Sequence, residues 1–178
     1  SVARLLEYMV AESDNNAADI LLAYAGGAEQ TQAYLNRLGF GGIDVSVSEK
    51  EMNADIAKQY VNRASPADVV RFLKTVREGD ILTPENRKFF DKIMTATVTG
   101  GDKLKAGLLQ GTVFGHKTGS SSRTAEGIKI ADNDAGFVIL PDGRTYYIAV
   151  MVSDSRMSDR ENAALAAEIS AVVYNRLR

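Results

Sequence analysis

The chain has 178 residues, of which 45% are hydrophobic and 25% are charged, and its net charge is −2. This length suits one domain or two interleaved layers with a real core, and the near-neutral charge argues against nucleic acid or an anionic membrane as a partner. The absence of cysteine excludes disulfides and thiolate sites, and a single histidine argues against a multi-histidine metal centre.

The sequence begins inside an amphipathic helix. Val2, Leu5, Leu6, Met9 and Val10 follow the i, i+3, i+4, i+7 spacing of one helical face. No start methionine and no signal segment precede this pattern. We therefore expect a fragment or processed chain whose upstream portion is missing. No stretch approaches the roughly 18 consecutive apolar residues of a membrane span.

Helices and one long loop are predicted for the first half of the chain. We expect helices over residues 15–25 and 28–38, each followed by glycine. Residues 40–64 show no sustained period, and a loop of this length inside a compact domain is usually functional. Ser65 and Thr83 each precede a proline, the pattern of an N-cap before the first helical residue, so a helix is predicted to begin at each.

The second half has the composition of strands. Residues 112–118, 134–140 and 145–152 are rich in β-branched and aromatic residues. The Pro-Asp-Gly-Arg turn at 141–144 predicts that the last two strands form an antiparallel hairpin. The almost continuous apolar run AGFVIL predicts a central strand that is covered on both faces.

A final helix is predicted after the hairpin. Ser158 and Glu161 have the spacing of a capping box. An apolar stripe, which we expect to pack on the sheet, consists of Leu165, Ile169, Val172 and Leu177. The predicted fold class is therefore α+β, with a helical block followed by an antiparallel sheet flanked by helices.

The stretch GTVFGHKTG, residues 111–119, has the glycines and the lysine of a phosphate-binding loop. A Walker loop requires glycine directly before the lysine, but His116 stands there, and the residues after Thr118 do not open a helix. Lys117 is therefore interpreted as standing at the end of a strand, beside small residues that leave a cleft open. A solvated lysine is the alternative interpretation.

Two short motifs carry a resemblance to a known family. Ser13-Asp14-Asn15 stands at a predicted helix start, and Lys117-Thr118-Gly119 follows roughly a hundred residues later. Together, in this order, they resemble the signature of class A serine β-lactamases and their penicillin-binding relatives. The histidine before the lysine and the stretch NDAGFVILPDG are similar to the extended-spectrum branch of that class.

The resemblance implies a β-lactamase/transpeptidase-like fold without its N-terminal strands and helices. Residues 1–95 would be part of an all-helical domain that includes an Ω-loop at about 43–62, and residues 96–178 would be the C-terminal part of an α/β domain. In the Ω-loop, EKEMN meets the family's Glu-x-x-x-Asn spacing with Glu49 and Asn53. Glu51 is the rival base, two residues off that spacing.

The resemblance also implies roles for the polar residues. Ser13 would relay a proton to the leaving nitrogen, Lys117 would hold Ser13 and make the pocket positive, and Glu49 would activate the deacylating water. The backbone N–H of Ser120 would form half of an oxyanion hole. The substrate-binding set would be Asn15, Asn53, Thr118, Gly119, Ser120 and Ser121. No metal and no cofactor are implied.

Three features depart from the family pattern. Many members close the Ω-loop with an Arg–Asp ion pair, whereas the matching positions here are Val47 and Asn62. Asp19 stands where many members have asparagine, a change that the extended-spectrum branch tolerates. The family's nucleophile lies in Ser-x-x-Lys, and no such motif occurs in these 178 residues. We therefore expect this chain alone to be inactive.

The function implied by the resemblance is hydrolysis of penicillins or cephalosporins through a serine acyl-enzyme, which confers antibiotic resistance from the periplasm or after secretion. The partners would be a small-molecule β-lactam and the chain's own missing N-terminal segment. Two alternatives stay open. One is a penicillin-binding D-Ala-D-Ala peptidase, and the other is a non-catalytic domain that senses β-lactams or peptidoglycan.

Overall fold

The computed structural model describes all 178 residues. Its helices are α1 (Val2–Ala11), α2 (Asn15–Tyr24), α3 (Gly27–Arg37), α4 (Glu49–Ala54), α5 (Pro66–Glu78), α6 (Pro84–Thr95) and α7 (Asp159–Leu177). Its strands are β1 (Ile43–Asp44), β2 (Arg63–Ala64), β3 (Val113–Ser120), β4 (Lys129–Ile139) and β5 (Thr145–Ser155), and 3₁₀ turns lie at Ile56–Tyr60 and Leu104–Gly107. The predicted α+β class is confirmed. No helix combines the length and the apolar character that crossing a membrane requires.

Side-chain caps place the helix starts where the sequence predicts them. The hydroxyls of Ser65 and Thr83 each accept a hydrogen bond from the backbone N–H three residues on, and proline follows each cap. Ser158 and Glu161 form the predicted capping box at the start of α7. These contacts satisfy N–H groups that have no partner within the helix.

The three long strands form one antiparallel sheet in the order β3–β4–β5. The predicted hairpin is confirmed, with Ile139 opposite Thr145 beside the turn. The central strand β4 is covered on both faces, as AGFVIL predicts. Phe137 packs with Leu73 of the helical block, and Val138 belongs to the core cluster on the α7 side. Strand β3 forms one edge of the sheet.

The apolar stripe predicted for α7 is not its buried face. Three of its members are exposed: Leu165, Ile169 and Val172. The buried face is formed by small residues, one amide and one tyrosine: Asn162, Ala163, Ala166, Ser170 and Tyr174. The reason is the close approach of the 3₁₀ turn that ends at Gly107. A Cβ at Gly107 would overlap the carbonyl of Ala167, so only small side chains fit between the two segments.

The contact of Gly107 with α7 gives a stability prediction. Gly107→Ala is expected to lower the free energy of unfolding by about 1–3 kcal/mol, because the added methyl must push α7 away from the 3₁₀ turn. The control is Gly101→Ala, since a Cβ at Gly101 has no heavy atom within 4 Å. Urea denaturation of both variants checks the prediction, and equal stabilities would contradict it.

The predicted loop at residues 40–64 contains short elements. Ile43 and Ala64 pair across β1 and β2 and close its base. Within it, α4 has only six residues, too few for an apolar period to be recognised. The signal for α4 in the sequence is the capping box of Ser48 and Glu51.

Asn62 ties the two ends of this loop together. Its Oδ1 accepts hydrogen bonds from the N–H groups of Ser46 and Val47 at 2.8 and 3.0 Å, and its Nδ2 donates to the carbonyl of Val47 at 2.8 Å. Two of these bonds join Val47 and Asn62, the two positions at which the sequence lacks the family's Arg–Asp ion pair. In this chain a neutral amide therefore takes the place of that ion pair, next to the β1–β2 pairing and the Arg63–Asp44 ion pair at the base of the loop.

Candidate active site

One cavity of about 670 Å³ lies between the helical block and the edge strand β3. Its lining includes all nine residues predicted from the sequence: Ser13, Asn15, Glu49, Asn53, Lys117, Thr118, Gly119, Ser120 and Ser121. These residues come from three separate segments: the α1–α2 connection with the first residue of α2, helix α4, and the end of β3 with the residue after it. The fold therefore brings the two motifs and the Ω-loop glutamate to one place.

Ser13 lies in the connection between α1 and α2 with a φ of 57°, a left-handed conformation that is uncommon for residues other than glycine. The cap of α2 is Asp14, whose Oδ1 accepts a hydrogen bond from Ala17 N–H at 2.7 Å. The Ser13 hydroxyl therefore does not cap the helix. It accepts a hydrogen bond from Lys117 Nζ at 2.6 Å, and the same amine donates to the carbonyl of Thr118 at 2.6 Å.

Lys117 lies in a mixed electrostatic environment. Burial lowers its pKa below the ordinary lysine value, and the nearby charge of Lys103 adds to this effect. The carboxylates of Glu49 and Asp134 act in the opposite direction and raise the pKa. The result is an ammonium group that holds its proton less tightly than a solvated lysine, directly beside the hydroxyl of Ser13.

Glu49 is the first residue of α4 and is half-buried. The backbone N–H groups of Glu49 and Lys50 donate to the two carboxylate oxygens of Asp19 at 2.8 and 2.9 Å. Burial raises the pKa of Glu49, the charge of Asp19 raises it further, and Lys117 opposes both. A carboxylate with a raised pKa is a better general base near neutral pH than a solvated one.

The rival carboxylate, Glu51, is used differently. Its Oε2 accepts a hydrogen bond from Ser48 N–H at 2.9 Å as part of the capping box, and Oε1 pairs with exposed Lys58 at 3.3 Å. Glu51 does not line the cavity. Only Glu49 on this helix presents a carboxylate to the candidate site.

The contact between Asp19 and α4 gives a prediction about the pKa of Glu49. Asp19→Asn removes the negative charge that raises this pKa, so the pKa should fall toward the ordinary glutamate value. A raised folded pKa stabilises the fold below the unfolded pKa, and this contribution is lost as pH rises through the folded pKa. The variant should lose less stability over that pH range.

A carboxyl ¹³C NMR titration of Glu49 measures this shift. The control is Asp55→Asn, which removes a loop carboxylate that caps the 3₁₀ turn and is not among the groups that shift Glu49. An unchanged Glu49 pKa in Asp19→Asn, or an equal shift in the control, would contradict the assigned cause.

The opposite wall is the end of β3. Thr118 Oγ1 lies 2.7 Å from Thr99 Oγ1, and a Cβ at Gly100 would overlap the methyl group of Thr118. Gly100 itself has a φ of 65°, so two features favour glycine there. Ser121 lines the cavity, but its hydroxyl accepts from Ala131 N–H at 2.7 Å and is engaged by the backbone. Thr118 and Ser120 line this cavity and also the smaller cavity beside it.

A buried pair that the sequence motifs do not predict lies behind this wall. Asp134 pairs with Thr118 in the β-ladder, and its Oδ1 lies 2.9 Å from His116 Nδ1. Both His116 and Asp134 are 1% exposed, and Asp134 Oδ2 also accepts from Leu104 N–H at 3.2 Å. The feature of the sequence that could have indicated this pair is a carboxylate, Asp134, directly before the apolar run of β4.

Lys103 is a second residue near the site that the sequence motifs do not predict. It forms an ion pair with Asp132 and donates to the carbonyl of Asn133 at 3.3 Å. Together with Thr118 and Ser120 it lines a second cavity of about 400 Å³ beside the first. The sequence places Lys103 in an irregular segment with no motif, so its contact with β4 depends on tertiary packing alone.

Comparisons with known proteins extend the resemblance over nearly the whole chain. Residues 1–177 match the sequence profile of the β-lactamase enzyme family. A β-lactamase from Bacteroides uniformis is 45% identical over 179 residues, which cover 100% of this chain and 60% of the relative. The extended-spectrum β-lactamase PER-1 from Pseudomonas aeruginosa is 38% identical over 173 residues, which cover 97% of this chain and 56% of PER-1.

Solved structures show the same likeness. A class A β-lactamase from Bacteroides cellulosilyticus superposes with a TM-score of 0.96 at 45% identity, and the match covers 99% of this chain and 64% of that one. The TLA-1 extended-spectrum β-lactamase gives a TM-score of 0.96 at 37% identity, with 99% and 64% covered. The predicted β-lactamase-like fold is thereby confirmed. The chain spans about 60% of the length of these relatives.

Proposed function

Because the chain belongs to the β-lactamase enzyme family, we propose that it supplies most of the active site of a class A serine β-lactamase. The observation that carries the proposal is the 2.6 Å hydrogen bond from Lys117 Nζ to Ser13 Oγ, in a cavity that Glu49 also lines. The substrates are penicillins or cephalosporins, whose strained amide is opened by hydrolysis.

Acylation needs a nucleophile that this chain does not contain, since it has no Ser-x-x-Lys motif. We place that serine in a segment outside the 178 residues. Its hydroxyl oxygen attacks the lactam carbonyl and the C–N bond breaks, while the hydroxyl of Ser13 takes up the proton that the serine loses and passes its own proton to the ring nitrogen. Lys117 orients Ser13 and supplies positive charge to the pocket.

Deacylation is assigned to Glu49. The carboxylate, with the amide of Asn53 on the same helix, holds a water molecule and takes its proton as the water attacks the ester carbonyl. The ester C–O bond then breaks, the proton returns to the serine oxygen, and the opened acid leaves. The raised pKa of Glu49 supports this assignment, because it makes the carboxylate a stronger base.

Binding of the substrate is assigned to the wall formed by β3. The ring carboxylate would lie against the hydroxyls of Thr118 and Ser120, in the field of Lys117. Asn15 would bond the side-chain amide of the substrate. The N–H of Ser120 would contribute half of the oxyanion hole, and Gly119 would leave space beside it for the bound acyl group.

The domain boundaries, the cellular location and the role in resistance are assigned from the family. We propose that residues 1–95, with the Ω-loop, and residues 96–178 belong to the two domains of the complete enzyme. We also propose a periplasmic or secreted location and a role in antibiotic resistance. Glu49 in the cavity favours the hydrolase over the two alternatives, a D-Ala-D-Ala peptidase and a non-catalytic sensing domain, because only the hydrolase has to release a β-lactam acyl group to water.

The test compares this chain with a completed chain. In the completed chain, the part of the Bacteroides uniformis relative that this chain does not cover is joined to it. We expect the completed chain to hydrolyse a chromogenic cephalosporin and this chain alone to leave it intact. A completed chain that unfolds cooperatively, yet never hydrolyses the cephalosporin, would overturn the proposal. A stable acyl adduct in that case would favour the peptidase or the sensor.

A further inference from the structure

Gln59 connects the Ω-loop to the chain segment that follows β3. Its Oε1 accepts a hydrogen bond from Ser122 N–H at 2.9 Å, and its Nε2 donates to Ser122 Oγ at 3.4 Å. The same Nε2 also donates to the carbonyl of Met52 at 3.2 Å. One side chain therefore joins three segments: its own 3₁₀ turn, helix α4 and the residues after β3.

The bridge lies at the rim of the candidate active site. Gln59, Met52 and Ser122 all line the 670 Å³ cavity. Met52 is on the helix that carries Glu49, and Ser122 directly follows the proposed carboxylate-binding wall. The Gln59 side chain thus links the base-bearing helix to the segment after β3 at this end of the cavity.

A second bridge starts from the same turn but does not reach the cavity. The hydroxyl of Tyr60 donates to Asp154 Oδ1 at 2.7 Å and attaches the turn to β5. Neither Tyr60 nor Asp154 lines the cavity. The Ω-loop therefore keeps an attachment to the sheet when Gln59 is truncated, and Tyr60 provides a matched control for loss of one loop-to-sheet hydrogen bond.

We propose that Gln59 is a positioning residue that sets the width of the cavity where the acyl side chain of the substrate lies. This inference rests on the proposed function. The cavity lined by Thr118 and Asn15 continues to Gln59 and Ser122, so an acyl group held at those two residues would have to be accommodated beside the Gln59–Ser122 bridge. A bulky acyl group must displace this bridge, whereas a small one fits beneath it.

The bridge itself is tested on this chain by NMR amide exchange. In Gln59→Ala, exchange of Ser122 N–H is expected to accelerate about 10-fold, because its acceptor is gone. Ser121 N–H, which donates to the Ala131 carbonyl, should keep its rate, and Tyr60→Phe should change neither rate. Unchanged exchange at Ser122 in Gln59→Ala would overturn the bridge.

The effect on specificity is tested in the completed chain with two cephalosporins, one with a bulky oxyimino side chain and one with a small unbranched side chain. In Gln59→Ala, kcat/KM for the bulky cephalosporin divided by kcat/KM for the small one is expected to rise by about 5- to 10-fold. The main cause should be a lower KM for the bulky substrate. Tyr60→Phe should leave the ratio near the parent value. A common factor for both substrates would show a merely structural role and overturn the inference.

The two experiments also separate the inference from the proposed function. A parent completed chain that hydrolyses neither cephalosporin contradicts the hydrolase assignment and the specificity role that rests on it. The exchange rate of the Ser122 N–H in this chain does not depend on turnover. It therefore still tests whether Gln59 bonds to Ser122 at the edge of the cavity.

Discussion

In the completed chain, Glu49→Gln is expected to slow deacylation by about 10²–10⁴-fold, the usual contribution of a general base. An amide keeps the size of the carboxylate but cannot take a proton from water. Acylation uses Ser13 and Lys117 and should continue, so the acyl-enzyme should accumulate. Mass spectrometry of the protein after mixing with a cephalosporin measures this adduct, and the burst of product measures its rate of formation.

The control for this prediction is Glu51→Gln on the same helix. Gln also forms capping boxes, and Glu51 lies outside the cavity, so turnover should remain close to that of the parent. Normal turnover in Glu49→Gln would show that another group activates the water. It would remove the main argument for a hydrolase over a penicillin-binding peptidase.

Lys117→Ala is the second large effect that we expect. It removes the donor that holds the Ser13 hydroxyl at 2.6 Å and the main positive charge of the pocket. Loss of one such preorganised group typically costs about 10²–10³-fold in rate, so kcat/KM of the completed chain should fall by this factor. Both KM and kcat should change, because the ammonium group is assigned to substrate binding and to proton transfer.

Steady-state kinetics measures this effect, and Lys105→Ala is its control. Lys105 is an exposed lysine of the 3₁₀ turn before β3 and lines neither cavity beside Thr118. The pH profile adds a second readout. Because burial lowers the pKa of Lys117, the alkaline limb of activity should lie below the ordinary lysine value in the parent. A Lys117→Ala variant with nearly parental kcat/KM would contradict the assigned role.

The sequence predicts the features of this fold that depend on local chemistry. Caps at Ser65, Thr83 and Ser158 place helix starts because hydroxyls satisfy nearby N–H groups. The hairpin follows from its turn, and the burial of β4 follows from its apolar run. The buried face of α7 could not be predicted, because the approach of Gly107 selects small residues there instead of the stripe that includes Val172.

In the candidate site, too, some residues are predictable from the sequence and others are not. Its motif residues are recognisable, because Ser-Asp-Asn and Lys-Thr-Gly are contiguous in sequence. Their supports are not recognisable, because Asp19 meets Glu49 across 30 positions and Gln59 meets Ser122 across 63. The left-handed backbone of Ser13 and the pKa shift of Glu49 likewise arise from the folded surroundings. Contacts of this kind depend on how helices and strands pack, which no local pattern encodes.

The most direct measurement is a crystal structure of the Glu49→Gln completed chain after reaction with a cephalosporin. We expect an acyl group inside the cavity that Ser13 and Lys117 line, with its ring carboxylate within hydrogen-bonding distance of the Thr118 and Ser120 hydroxyls. An acyl group bound elsewhere, or a carboxylate that contacts neither hydroxyl, would contradict the claim that these residues form one β-lactam site.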